Sequence, residues 1–198
     1  MISYHVALAP MSDAVPEAVI AHYTWENNGF QPYASARLSL WEDRLFVRLV
    51  CREKDPLIRC HHGPDGPVWL DSCLEFFFCP AGCDRYLNLE MNGGGGFFCA
   101  IGPARYSRTF CDPFAPDGQP RPTVRSSDWQ VDAILSLPKL RELFGRNDLS
   151  DLRGNFYKCG DETPFPHYGM WSPVDLPSPD FHRPEFFAPI LLPGEKAV

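Results

Sequence analysis

The sequence predicts an all-β protein, a sandwich or a barrel with one short helix, and three observations predict it. Proline occupies 21 of 198 positions, about twice its ordinary share of 5%. Lacking an N–H, proline breaks helix interiors, so this density means many short elements joined by fixed turns. Aromatic residues make up 14% of the chain, with fifteen Phe and five Trp, which suits the half-buried faces of sheets. Apolar residues then recur with a period of two in segment after segment, and with helical spacing in one place.

In chain order, Ala34–Leu40 and Leu45–Cys51 read as strands closed by the polar turn Trp41-Glu42-Asp43-Arg44, a hairpin. Residues 52–67 turn to Pro, Gly, His and charge, a loop long enough to carry function rather than decorate. Val68–Cys79 is the strongest strand, with Leu70, Ser72, Leu74, Phe76 and Phe78 on one face and Trp69, Asp71, Cys73, Glu75 and Phe77 on the other. Arg85–Asn92 alternates in the same way, Leu87, Leu89 and Met91 against Tyr86, Asn88, Glu90 and Asn92, and the tetrad Gly93 to Gly96 ends it as a flexible turn. Phe97–Ile101 is a short strand, 103–122 an irregular stretch, and Trp129–Leu137 a strand followed by the helix Pro138–Phe144, which has proline in its first turn. Asn155–Cys159 and Ala188–Leu192 complete the strands. The aromatics of Phe181 to Phe187 are expected to seal a sheet edge, with His182 bonded to backbone there. No repeat and no composition shift marks a boundary, so one domain over 1–198 is expected, its core from about 35 to 192.

Charge and cysteine bound the function. Eighteen basic and 25 acidic residues leave a net charge of −7 with no block of Lys or Arg, which argues against a nucleic-acid surface. No apolar run approaches the ~18 residues of a membrane span, so a soluble protein without membrane contact is expected. The N-terminal stretch lacks a basic region and a continuous apolar region, so no signal peptide is visible and a cytoplasmic location is expected. There the eight cysteines stay reduced. Cys60-His61-His62 and the pair Cys79 and Cys83 suggest zinc, but structural zinc takes paired cysteine knuckles or one such pair with spaced histidines. Only one pair fits, so free thiols are the better reading and no metal site is assigned. Nucleophile elbow, phosphate loop and dinucleotide fingerprint are all missing.

The polar faces carry the chemical clue. Strands 68–79 and 85–92 follow one another through a short turn and so pair antiparallel. Opposite their apolar faces they offer Asp71 and Glu75, and Asn88, Glu90 and Asn92. Carboxylates and carboxamides hydrogen-bond hydroxyls; a plain solvated sheet face is the alternative. Trp69 stands on the face of Glu75, and Trp171 lies in another Pro/Gly-flanked loop. Sugars present apolar C–H faces and a ring of hydroxyls, so two indoles could clamp a pyranose while Glu75, Glu90 and Asn92 take its hydroxyls. Lys158 is a further contact if its side of Asn155–Cys159 faces the site. The same Glu75 and Glu90, at the ~5–9 Å that glycoside hydrolysis requires, would also suit a glycosidase.

These segments, in order, resemble a known family. VWLDSCLEFFF with YLNLEMN, a later W-x-V-x-x-I, NFYKCGD, HYGMWSP and the closing FHRPEFF are similar to a family 9 carbohydrate-binding module, and more closely to the stand-alone bacterial proteins of that type. The resemblance runs from about residue 35 to 192. It implies an antiparallel β-sandwich, jelly-roll or immunoglobulin-like and related to DOMON-like folds. It implies a mono- or oligosaccharide held without cleavage, a link to carbohydrate catabolism, and no cofactor apart from the structural calcium of some members. Trp69 and Trp171 match the sandwiching pair, Glu75 an acid that accepts from hydroxyls, and Asn92 an amide on the neighbouring strand. Where xylanase-attached members carry a basic residue two positions before that amide, this chain has Glu90, so it reads a different hydroxyl pattern. For calcium, Asp112 and Asp117 are the candidates, although no spacing resembles a calcium loop. DOMON-like relatives include b-type cytochromes, for which Met91, Met170, Lys158 and His167 would be the available axial ligands.

Overall fold

The computed structural model describes residues 2–61, 63 and 65–193. The chain opens with the short strands β1 (Tyr4–His5), β2 (Ala7–Leu8) and β3 (Ala18–Ile20), followed by the hairpin β4 (Ala34–Trp41) and β5 (Arg44–Cys51). Next come β6 (Cys73–Pro80), β7 (Tyr86–Asn92), β8 (Phe97–Ala104), β9 (Ser107–Phe110), β10 (Arg121–Val124) and β11 (Trp129–Ser136). Helix α1 (Leu137–Phe144) leads to β12 (Asp151–Cys159), β13 (Tyr168–Met170) and β14 (Ala188–Leu191). They form two sheets, ordered β1-β14-β12-β6-β7-β8-β9 with β13 beside β12, and β10-β11-β5-β4-β2 with β3 beside β4. Pairing is antiparallel except for β1 on β14 and β2 on β4. The all-β sandwich with one short helix is therefore the architecture.

The smaller sheet keeps a clean period of two. Leu45, Val47, Leu49 and Cys51 of β5 point inward, as do Trp129, Val131, Ala133 and Leu135 of β11, while Arg48 and Asp132 meet on the outside at 2.7 Å. The larger sheet is buried on both faces through β6 and β7. Leu74, Phe76 and Phe78 fill the space between the sheets, Phe76 stacking on Phe156 with centroids 4.8 Å apart. On the other face, the segment after β13 folds back as a roof: Phe181 stacks on Tyr157 at 4.0 Å, and His182 lies over Phe77 at 5.0 Å. That roof, laid over a sheet face that would otherwise be solvated, creates the site.

Two expectations are corrected. The strand does not begin at Val68: residues Val68–Leu70 form a single 3-10 turn after Pro67, and β6 starts at Cys73. The reason is nonlocal. The buried Asp71 carboxylate accepts from the Arg59 and Cys60 amides, the Arg59 guanidinium and Asn92 Nδ2, and Ser72 N donates to Leu57 O. Residues 68–72 thus serve the preceding loop instead of a neighbouring strand. The glycine tetrad is likewise a close fit. Gly95 adopts φ +83, and a Cβ on Gly94 would fall 2.8 Å from the Cys60 carbonyl oxygen, so a side chain has no room there. α1 follows its local signals: Ser136 caps it, Pro138 sits in the first turn, and Gly145 at φ 62 ends it.

Candidate binding site

Register places the site residues. Across the outer face of the larger sheet, Tyr157, Glu75, Glu90 and Phe98 are successive partners in one row, and Tyr168, Cys159, Cys73 and Asn92 in the next. Over these rows lies a pocket of about 330 Å³. Glu75, Glu90 and Cys159 make its floor, and Trp69, Tyr168 and Phe181 supply aromatic walls. Arg105, Tyr106 and Arg108 reach it from the β8–β9 hairpin, Asp161 from the end of β12, and Asp180 and His182 from the roof.

The floor is electrostatically strained. Glu75 and Glu90 are direct cross-strand partners, each 3% exposed. Burial first, and then the Glu90 charge, push the Glu75 carboxyl well above the usual carboxylate range. Its Oε1 accepts from Cys159 Sγ at 3.0 Å. Burial also raises Glu90, to about 7, against the pull of Arg108 and a hydrogen bond from Asn88. Asn88 Nδ2 donates to Glu90 Oε1 at 2.8 Å, and Arg108 Nη1 stands 3.6 Å from the same oxygen. The Arg108 guanidinium also lies over the Phe98 ring at 4.8 Å.

His182 completes this side. Burial and the flanking Arg108 and Arg105 hold its pKa down at about 3, so the ring is neutral. Nε2 lies 3.5 Å from Arg108 Nη1, which can only donate, so Nε2 accepts and Nδ1–H donates to the Tyr86 hydroxyl at 2.7 Å. Arg105 pairs with Asp180 at 3.3 Å on the rim.

The structure brings together only part of the set read from the sequence. Trp69 lines the pocket, half-buried, edge-on to Phe98 at 5.6 Å. Glu75 and Glu90 are its floor, and Asn88 lies beneath, holding Glu90. Asn92 is displaced from the site: its amide bonds Cys60 O and Asp71, and its Oδ1 accepts from Gly94 and Gly96, so it pins the loop and the glycine turn. Trp171 packs inward, 4% exposed, between Phe156 at 5.5 Å and Tyr4 at 6.5 Å. The cause is parity. Tyr168 pairs with Cys159 and faces the pocket, and Trp171, an odd number of residues later, falls on the opposite face. Lys158 is corrected for the same reason, standing between the outward Tyr157 and Cys159. Its Nζ lies inside the sandwich, 2.6 Å from His167 Nε2, 2.9 Å from Cys159 O and 3.3 Å from Glu53.

Lys158 and His167 bond each other in the interior, and Met91 and Met170 are fully buried. Asp112 binds Lys139 at 2.9 Å and Asp117 binds Arg44 at 3.4 Å. All eight cysteines are free, and His62 of the Cys60-His61-His62 run lies outside the described residues. The donors that do converge are others: the ligand atoms of Cys73, Glu75 and Cys159 lie within 4.8 Å of one another.

Arg105, Arg108, Asp161, Tyr168, Asp180 and His182 were not legible as site residues. For the two arginines there is a local signal: an Arg-Tyr-Ser-Arg run at 105–108 places them around what proves to be a hairpin tip.

The chain resembles known proteins in sequence pattern and in fold. The model of carbohydrate-binding family 9 matches residues 6–113 and 123–192. No curated protein matches the chain. Among solved structures, a protein of Bacteroides uniformis, assigned only provisionally to carbohydrate binding, superposes with a TM-score of 0.80 at 23% identity, covering 97% of this chain and 98% of its own. A carbohydrate-binding module of family 9 from Caldicellulosiruptor kristjanssonii in complex with cellotriose superposes with a TM-score of 0.66 at 13% identity, covering 100% and 97%. In complex with glucose the module gives 0.65 at 13%, covering 100% and 98%. The structural likenesses bear on the fold, whereas the sequence match runs through both sheets and the floor of the pocket. On that match, the chain belongs to carbohydrate-binding family 9.

Proposed function

We propose that the pocket binds a saccharide without cleaving it. The observation that carries this reading is the paired carboxyl floor, Glu75 beside Glu90, set under the Trp69 indole and next to the Arg108 guanidinium. Carboxyl oxygens that accept and a guanidinium that donates are what a ring of hydroxyls engages, while an indole takes the C–H face. Family membership and the two complexes of the Caldicellulosiruptor module, with cellotriose and with glucose, support it. Trp69 is the one indole among the lining residues, so the second apolar wall falls to Tyr168 and Phe181. The volume of about 330 Å³ is at the small end of the ~300–1,000 Å³ of ligand sites and favours a mono- or disaccharide, or the end of a chain.

Hydrolysis is disfavoured by placement. A glycosidase sets its acid and its base or nucleophile on either side of the scissile bond. Here the two carboxyls are neighbours on one floor, with cross-strand partners ~5 Å apart at Cβ, and reach the same side of anything above them. Calorimetric titration with a panel of mono- and disaccharides tests the reading. At least one ligand is expected to bind, and Trp69→Ala to weaken it tenfold or more, about 1.4 kcal/mol. No binding by any sugar, or full affinity in Trp69→Ala, would overturn it. Sugar release from a bound disaccharide, lost in Glu75→Gln, would establish catalysis instead.

A further inference from the structure

We propose that Cys73, Glu75 and Cys159 form a zinc site in the floor of the pocket. The sheet itself sets their positions. Cys73 and Cys159 are direct partners on β6 and β12, and Glu75, two residues after Cys73, shares their face. The two sulfurs and a carboxylate oxygen lie within 4.8 Å of one another, with Cys159 Sγ already 3.0 Å from Glu75 Oε1. Tetrahedral zinc, with Zn–S near 2.3 Å and Zn–O near 2.1 Å, sets its ligand atoms about 3.6–3.8 Å apart. Side-chain adjustments of about an ångström therefore suffice, and the strands need not move.

The donor set selects the ion. Thiolates choose zinc and other thiophilic metals, whereas calcium and magnesium take oxygen ligands throughout. Among the described residues, no fourth His, Cys, Asp or Glu joins the cluster at this spacing. Three protein ligands with the fourth position open is the arrangement of exchangeable, ligand-binding zinc. Glu75 and Cys159 line the pocket, so the open position faces it and would take water or an oxygen of the occupant. Binding is a ligand exchange without redox change: zinc displaces the thiol and carboxyl protons to solvent and forms two Zn–S bonds and one Zn–O bond. The site stands whether or not a saccharide binds above it.

The test uses the full chain, reduced, stripped with a chelator and titrated with zinc alone. One zinc per chain is expected to survive gel filtration. X-ray absorption of that form is expected to show two sulfur scatterers near 2.3 Å and lighter ones near 2.1 Å. The cobalt(II) form is expected to show thiolate charge-transfer absorption with a tetrahedral ligand-field spectrum. Cys73→Ser and Cys159→Ser should each weaken zinc by more than the ~100-fold that even an outer-shell change can cost, with the Cys79→Ser/Cys83→Ser protein binding as before. No retained zinc, a shell of four sulfurs or of none, or full affinity in either single variant would overturn the site. The absorption measurement needs only the native sequence, so it decides the question even if a serine variant fails to fold.

Discussion

His182 sits between Tyr86 and Arg108 with both ring nitrogens engaged, its pKa held near 3 by burial and by the two arginines. In the unfolded chain an imidazole titrates near 6.5. Between those values the unfolded state takes up a proton that the folded state does not, so this residue costs stability as pH falls below ~6.5, levelling off near its folded value. Glu75 and Glu90, held above the ordinary carboxylate value of 4.5, act in the opposite sense: above 4.5 the folded state binds protons the unfolded chain lacks, so acidification through that window adds stability. A difference measurement separates the two. The unfolding free energy of the native protein minus that of His182→Gln is expected to fall by about 1.4 kcal/mol per pH unit below ~6.5. Urea denaturation between neutral pH and about pH 5 checks it, and a difference that ignores pH would mean that His182 is not held neutral.

For the elements, the decisive quantity is which face a strand turns outward. Trp171 follows β13 on the inward side, so it is a core residue with the energetics of one. Trp171→Phe is expected to lower stability by about 1–3 kcal/mol through the space it leaves beside Phe156 and Tyr4. The folded variant's saccharide affinity is expected to stay within about twofold of the native value, and a loss as large as that of Trp69→Ala would contradict the inward packing. The sequence carried the strands whose signals are local. The β4–β5 hairpin and the β11–α1 junction fall within a residue of their expected bounds because alternation, Ser136, Pro138 and Gly145 mark them. It did not carry parity in β12, where Phe156 and Tyr157 are both largely apolar and both buried, so nothing in Asn155–Cys159 says that Tyr157 turns to the outer face beneath Phe181 and Lys158 to the interior. Nor could it place 68–72, whose conformation depends on amides at 57–60.

For the whole molecule, the two sheets are joined by more than apolar packing. Glu53, just beyond β5 of the smaller sheet, meets Lys158 of the larger sheet at 3.3 Å, and also accepts from Trp129 Nε1 at 3.2 Å and Ser72 Oγ at 2.9 Å. Burial pushes the Glu53 carboxyl up, but Lys158 with the donors Trp129 and Ser72 more than reverses it, so it stays ionised. His167 donates Nδ1–H to Phe165 O at 2.7 Å and accepts from Lys158 on Nε2, remaining neutral with a pKa lowered to about 4 by burial and by Lys158. Such a pair is weak evidence of net stabilisation, because two charges have left water to form it, yet each partner alone would be an uncompensated buried charge. The single variant Lys158→Met is therefore expected to cost about 3–5 kcal/mol, more than its lost contacts would suggest. Removing the opposite charge as well should return much of that loss, since Gln at 53 still offers an oxygen to Trp129 and Ser72. Chemical denaturation of the two single variants and the double variant closes the cycle, with a coupling of at least ~1.5 kcal/mol expected between the sites. Additive losses would mean that the charges are screened by water reaching the interior, and that the sheets are held together there by shape alone.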